Sequence, residues 1–238
     1  MQNTTSLWDE LYQDSYRVES KVMIDGVEYP VVMLDSHTPT FISLCRITRQ
    51  LFTDAAPIGN ATAATLEIVF TPSVEPAYRA EVRPYKRLVS DDGIRSDWLP
   101  DGVYWIGNRK GQSHGQLRIV CYDALRKAEQ PFMDELDTGD WPRKADIVVQ
   151  ECASKLGVSI DSRTSINSTY AVEYPENYND ITVREILEQI AFIHGGNWTM
   201  TPEGELRLVC VFDTPPETNY LIDQRGNAIT FGGVRILV

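Results

Sequence analysis

Short apolar runs, each closed off by turn-forming residues, follow one another from about residue 16 to about residue 125. A chain patterned this way folds as strands at period two rather than along one helical stripe. Residues 17–34 place two β-rich runs around Asp25-Gly26. Asp-Gly tolerates the positive φ angles of a type I′ turn, so this spacing predicts a hairpin. Further strands are expected at Phe41–Ile47, Thr65–Phe70, Ala80–Tyr85, Val103–Ile106 and Leu117–Cys121. Turns are marked by Ala56-Pro57-Ile58-Gly59-Asn60, Asp91-Asp92-Gly93 and Pro100-Asp101-Gly102. Pro84 points to an edge strand or a bulge, because proline cannot donate to a ladder. About six short strands at this spacing argue for a β-barrel or sandwich.

The pattern changes after residue 125. Apolar residues at 145, 148, 149, 152, 153 and 156 share one helical face, and Gly157 supplies a C-terminal stop. Thr182 and Glu185 form a capping box ahead of Ile186, Leu187, Ile190, Ala191 and Ile193. His194-Gly195-Gly196 ends that helix. A hairpin follows across Pro202-Glu203-Gly204. The expected organisation is α+β and mostly β. Residues 1–15 form an N-terminal arm and 16–125 a first barrel-like domain. Residues 126–202 form a small α/β domain, and 203–238 a β segment too short to close a second barrel. In the arm, Leu7, Trp8, Leu11 and Tyr12 suit either a short amphipathic helix or a segment docked on a neighbour.

Charge excludes one class of partner. With 34 acidic and 22 basic side chains the net charge is −12, so bulk electrostatics cannot grip a phosphate backbone. No apolar run is long enough for a membrane helix, and the N-terminal residues do not read as a secretory signal. Cys45, Cys121, Cys152 and Cys210 lie far apart in apolar surroundings and read as buried thiols. His37, His114 and His194 have no zinc-ligand spacing.

Gly111-Gln112-Ser113-His114-Gly115 matches the nucleophile elbow G-x-S-x-G, but the elbow needs a strand before it and a helix after it. The flanks here read as two strands, so a hairpin loop is the expectation. His194-Gly195-Gly196-Asn197 resembles an esterase oxyanion loop but follows the serine instead of preceding it. Asp134, Asp137 and Asp140 lack the ligand spacing of a calcium loop. Trp98, Tyr104, Trp105, Tyr122 and Trp198 could stack on sugars or bases, although core and interface packing is the commoner use of such rings. The densest basic run, Arg83 to Arg87, holds three charges. No catalytic, cofactor-binding or metal-binding residue is assigned.

Two stretches carry a resemblance. One is Trp98-Leu-Pro-Asp-Gly-Val-Tyr-Trp-Ile106, followed by Leu117-Arg-Ile-Val-Cys-Tyr-Asp-Ala-Leu-Arg-Lys127. The other is Thr182-Val-Arg-Glu-Ile-Leu-Glu-Gln-Ile-Ala191, His-Gly-Gly-Asn-Trp198 and Glu203-Gly-Glu-Leu206. Both resemble the hub proteins at the distal end of bacteriophage tails: the baseplate hub of contractile tails and the tail-associated proteins of long flexible tails. In that family a G-x-F/Y-x-I … AYDAM-x-K stretch ends a first tube-like β-barrel. A T-x-R-x-x-L-x-x-I-A-x-x-x-G helix and a D/E-G-x-L hairpin belong to the next domain. Ile58-Gly59-Asn60-Ala61 suits the family's glycine-containing turn. Leu125 stands where methionine is frequent. The resemblance covers roughly residues 17–210, and its motifs are structural.

The resemblance implies a homotrimeric ring that presents six barrels to a hexameric tail tube. It also implies partners: the tail tube or distal tail protein, the tape-measure protein and a spike or fibre. Its setting is the virion tail, assembled in the host cytoplasm, with no membrane partner. An acidic lining would let DNA pass through the lumen without specific binding. Two rival readings stand beside this non-enzymatic structural role. One is the N-terminal hub portion of a tail-associated peptidoglycan hydrolase, and the other is a carbohydrate-binding module for host recognition.

Overall fold

The computed structural model describes residues 4–12, 16–31, 42–53, 56–72, 74–112, 115–133, 141–173, 181–210, 230–231 and 234–235. Its elements run in the following order. Helix α1 (Ser6–Tyr12) precedes strands β1 (Tyr16–Ile24), β2 (Val27–Val31), β3 (Ile42–Thr48), β4 (Asn60–Ala61), β5 (Thr65–Phe70) and β6 (Glu81–Ser90). Then come β7 (Leu99–Pro100), β8 (Tyr104–Gly111), β9 (Leu117–Tyr122) and a 3₁₀ turn at Ala124–Glu129. The second half contains β10 (Arg143–Lys144), α2 (Ala145–Leu156), β11 (Ala171–Val172), α3 (Val183–Ile193), β12 (Gly196–Met200) and β13 (Leu206–Cys210). Of the expected β segment 203–238, residues 203–210 belong to the β12–β13 hairpin, and the only other described residues form a two-residue pairing of β14 (Thr230–Phe231) with β15 (Val234–Arg235).

The first unit is one antiparallel sheet of order β2-β1-β6-β8-β9-β5-β3, with β7 also on β6. Asp25 and Gly26 both have positive φ, 51° and 79°, as the expected hairpin turn requires. Alternation sets the inner face. Along β5, Leu66, Ile68 and Phe70 are fully buried while Thr65, Glu67 and Val69 are not. With Val22, Ile24, Val82, Tyr104, Ile106, Ile119 and Cys121 they form the first core. The end strands β2 and β3 approach within 8 Å between Cα atoms. No ladder joins them among the described residues, so the sheet is an open path and not the closed barrel expected from the turn spacing. Pro30 leaves β2 one N–H short for any ladder.

Pro84 does not mark an edge. It sits in the centre of the sheet, opposite Val22 of β1. On the other side of β6, β8 pairs at Glu81 and Val82, and β7 pairs at Tyr85 and Lys86. Pro84 falls in the gap where the partner changes, so no ladder hydrogen bond is lost. Its carbonyl still accepts from the Asp101 N–H at 2.8 Å.

The second core joins α2, α3, the 3₁₀ turn and the β12–β13 hairpin. The α2 face has the predicted residues, Ala145, Val148, Val149, Cys152, Ala153 and Leu156, and Gly157 closes it with φ 74°. The capping box is present at α3: the Thr182 hydroxyl accepts from the Glu185 N–H, and the Glu185 carboxylate accepts from the Thr182 N–H. Thr182→Ala is expected to cost about 1 kcal/mol, read as a lower urea midpoint with an unchanged m value. The second core draws Ala61, Ala124 and Leu125 from the first unit and Leu206 and Leu208 from the hairpin's return strand. The boundary expected at residue 202/203 therefore runs through a single hairpin. No helix among the described residues is long and apolar enough to cross a membrane.

The two units also meet at a pair of turns. Gly102, at φ 111°, lies under the Tyr104 ring, where a Cβ would come within 2.5 Å of a ring carbon. Its N–H donates to the Pro202 carbonyl at 3.2 Å. Gly204, at φ 92°, sits against Val103. Glycine is required at both places by the backbone angle and by the close approach.

Candidate functional site

The residues singled out by motif are mostly in structural use. Ser113 and His114 lie outside the described residues. Their flanks are β8 and β9, an antiparallel pair closed by Gln112 N–H donating to the Gln116 carbonyl at 2.7 Å. The helix of a nucleophile elbow is replaced by a strand. His194 caps α3. Its Nδ1 is 2.8 Å from the Ile190 carbonyl, and its Nε2 accepts from the Asn167 N–H at 2.9 Å. Both ring nitrogens are thereby engaged, which defines the Nδ1–H tautomer. Asp134, Asp137 and Asp140 lie outside the described residues.

Three of the five aromatic residues named above, Trp98, Tyr104 and Trp198, are in structural use. Trp198 is fully buried, and its indole N–H donates to the Leu187 carbonyl at 2.7 Å. Trp98 is half-buried and sits within 4.8 Å of Lys21 Nζ and 4.3 Å of the Arg87 guanidinium. Tyr104 is buried and its hydroxyl accepts from Arg49. The basic run is neutralised within the chain, with Arg83 on Glu81, Lys86 on Asp101 and Arg87 on Glu19. The thiols are unbridged, and burial pushes Cys45 up to about 11 and Cys121 up to about 12.

The short motifs that carry the resemblance converge on one place, the junction of the two cores. Asn60, 6% exposed, and Asn197, 1% exposed, form its centre. Asn197 Oδ1 accepts from the Asn60 backbone N–H at 3.0 Å and from Asn60 Nδ2 at 2.8 Å. Asn197 Nδ2 donates to the Pro57 carbonyl at 2.9 Å. These bonds hold β4 parallel to β12, beside Gly59 N–H donating to the Gly196 carbonyl at 2.8 Å.

Asp123 is the second fastener. One carboxylate oxygen accepts from the Ala64 N–H at 2.9 Å and the other from the Leu125 N–H at 3.0 Å. Its own N–H donates to the Ala64 carbonyl at 3.2 Å. Burial pushes this carboxyl up to about 6, against the pull of the two N–H donors and of Arg49 and Arg184. Arg184 is the third. From α3 it pairs with Glu129 at 3.0 Å and donates to the carbonyls of Ala61 and Leu125. The Asp of the YDAL stretch and the Arg of the T-x-R stretch thus serve a buried joint.

Beside the joint lies a cleft of about 520 Å³, whose lining includes Tyr78, Arg79, Trp105, Tyr122, Arg126 and Lys127. Trp105 and Tyr122 are cross-strand neighbours on the outer face of β8 and β9. Tyr122 lies against the bare backbone of Gly107, where a Cβ would come within 2.6 Å of the ring. Arg126 stands over Tyr122 at 5.5 Å and Lys127 over Trp105 at 4.7 Å. Lys127 also donates to the Leu156 carbonyl at 3.1 Å, at the C-terminal end of α2, where a cation is favoured. Arg79 has the left-handed φ of 62°. The sequence reading did not find this cleft. Two of its rings, Trp105 and Tyr122, are among the aromatic residues named from the sequence, but nothing there joined them to Arg79, Arg126 and Lys127.

The chain is similar in fold to the 43 kDa tail protein of prophage MuSo2 from Shewanella oneidensis, with a TM-score of 0.52 and 13% sequence identity. That match covers 90% of this chain and 61% of that protein. The tail protein from Neisseria meningitidis MC58 aligns with a TM-score of 0.48 and 15% identity, over 91% of this chain and 60% of that one. The chain spans about three fifths of the length of each. No protein-family model and no curated protein matches the chain.

Proposed function

We propose that the chain is a structural protein of a phage tail or of a phage-derived injection particle, acting as the hub that joins the tail tube to the tip. The observation that carries this reading is the likeness of fold to the MuSo2 tail protein, which extends over 90% of the chain. The hub motifs of the sequence add support, since the structure gathers them at one joint. In this reading three copies form a ring, and the curled sheet of the first unit becomes one segment of the tube wall. The approach of β2 and β3 suits closure of that sheet in the assembled tube. A net charge of −12 suits a wall that DNA slides past. The tail tube protein, a spike or fibre and the tape-measure protein are its partners.

Co-expression with a tail tube protein from the same gene neighbourhood tests the reading. The expected result is co-sedimentation of the two and rings of three copies by electron microscopy and native mass spectrometry. A strict monomer at all concentrations, never found with the tube protein, would overturn it.

A further inference from the structure

We propose that the cleft between the β8–β9 face and the 3₁₀ turn is a docking site for a carboxylate-rich segment of a second copy of the chain. The inference rests on the ring reading above and supplies one of the ring's contacts. Electrostatics sets the problem that such a contact must solve. Copies that each carry a net charge of −12 repel one another, so lateral packing needs cations presented outward at particular places.

The cleft presents them. Arg79, Arg126 and Lys127 are exposed, and no carboxylate among the described residues pairs with any of the three within 4.0 Å. The one acid of the lining is Asp123, and both of its oxygens are directed to backbone N–H groups. This contrasts with the run from Arg83 to Arg87, whose cations are all paired internally. The rings of Tyr122 and Trp105 hold Arg126 and Lys127 in place, and Tyr78 does the same for Arg79 at 5.6 Å. A cation positioned over an aromatic face loses less freedom when a carboxylate arrives.

The backbone at Arg79 is a separate observation. A left-handed φ of 62° favours glycine or asparagine, and a long side chain there is an uncommon choice. A guanidinium kept at the rim despite that conformational cost points to a use for the charge. The occupant follows from charge. Cations with no carboxylate partner among the described residues suit an acidic occupant, and a second copy, with its 34 acidic side chains, supplies one.

The test uses Arg79→Gly with Arg126→Glu. The first substitution removes a charge while relieving the left-handed backbone, and the second inverts a charge at an exposed position. Native mass spectrometry over a concentration series is compared with thermal melting of the same samples. The expected result is an assembly midpoint raised about tenfold or more in the double variant, with no lower melting temperature at concentrations where both proteins are monomeric. Equal assembly of wild type and variant overturns the inference and leaves the ring reading standing. A wild type that is monomeric at every concentration overturns both. A short single-stranded DNA bound by the wild type and lost by the variant would assign the cleft to a phosphate polymer and overturn the second-copy reading.

Discussion

Asn197→Ala is expected to lower the stability of the chain by about 3–5 kcal/mol. The substitution removes one side chain and strands three groups: the Asn60 backbone N–H, the Asn60 amide and the Pro57 carbonyl. Each buried polar group left without a partner costs about 1–3 kcal/mol, and the vacated space adds to the sum. The loss is large against a typical total of roughly 5–15 kcal/mol. Urea unfolding followed by circular dichroism measures it. A change below about 1 kcal/mol would mean that water replaces the amide and that the joint is not dry. Asn197→Asp separates the acceptor from the donor. It keeps the bonds from Asn60 but turns an oxygen toward the Pro57 carbonyl, so it too should destabilise, and more so as the new carboxyl ionises.

The second large effect depends on pH. Burial raises the Asp123 carboxyl from its ordinary 3.8 to about 6. Between those values the folded chain binds the proton more often than the unfolded chain does. Stability from this group is therefore greatest below about pH 4, declines as pH rises toward 6 and is flat above that. A shift of about 2 units corresponds to roughly 3 kcal/mol. Asp123→Asn removes the titration. It also leaves one of the two N–H donors, Ala64 or Leu125, facing an amide NH₂ instead of an oxygen. Asparagine should therefore be the worse residue, and its deficit should be larger at pH 4.5 than at pH 7.5 by about 2 kcal/mol. Other carboxyls titrate in both proteins and cancel in the difference. Equal deficits at the two pH values would show that the two N–H bonds outweigh burial and that Asp123 is ionised throughout.

What was legible in the sequence was local. The Asp25-Gly26 turn, the α2 face with its Gly157 stop and the Thr182–Glu185 box each depend on residues within a few positions of one another. Each stands in the structure as read. Pro84 was misread because its rule assumes that a strand has a single partner on each side. The fork of β6 between β8 and β7 is visible only once Trp105 and Pro100 are both in place. The junction was half legible. Asp123 and Arg184 were singled out by resemblance, but nothing in their spacing says that they brace the same seam. Asn60 and Asn197 stand beside glycines, which suggested turns and hid the buried amide pair. Of the cleft only the rings Trp105 and Tyr122 were named, because Arg79 and Arg126 lie far apart in the chain and only the sheet brings them to one lining.

The Asn60–Asn197 bond has a consequence for synthesis. Its two ends are 137 positions apart in the chain. At roughly 5–20 residues per second, a growing chain carries Asn60 for roughly 7–27 s before Asn197 has been made. During that interval Ala61, Ala124 and Leu125 have no core to enter, and the carbonyls awaiting Arg184 and Asn197 face water. The first sheet therefore leaves the ribosome with an unfinished flank. Nascent chains held at a length just short of residue 197 should be cut by protease near residues 56–64, and chains released past residue 210 should be protected there.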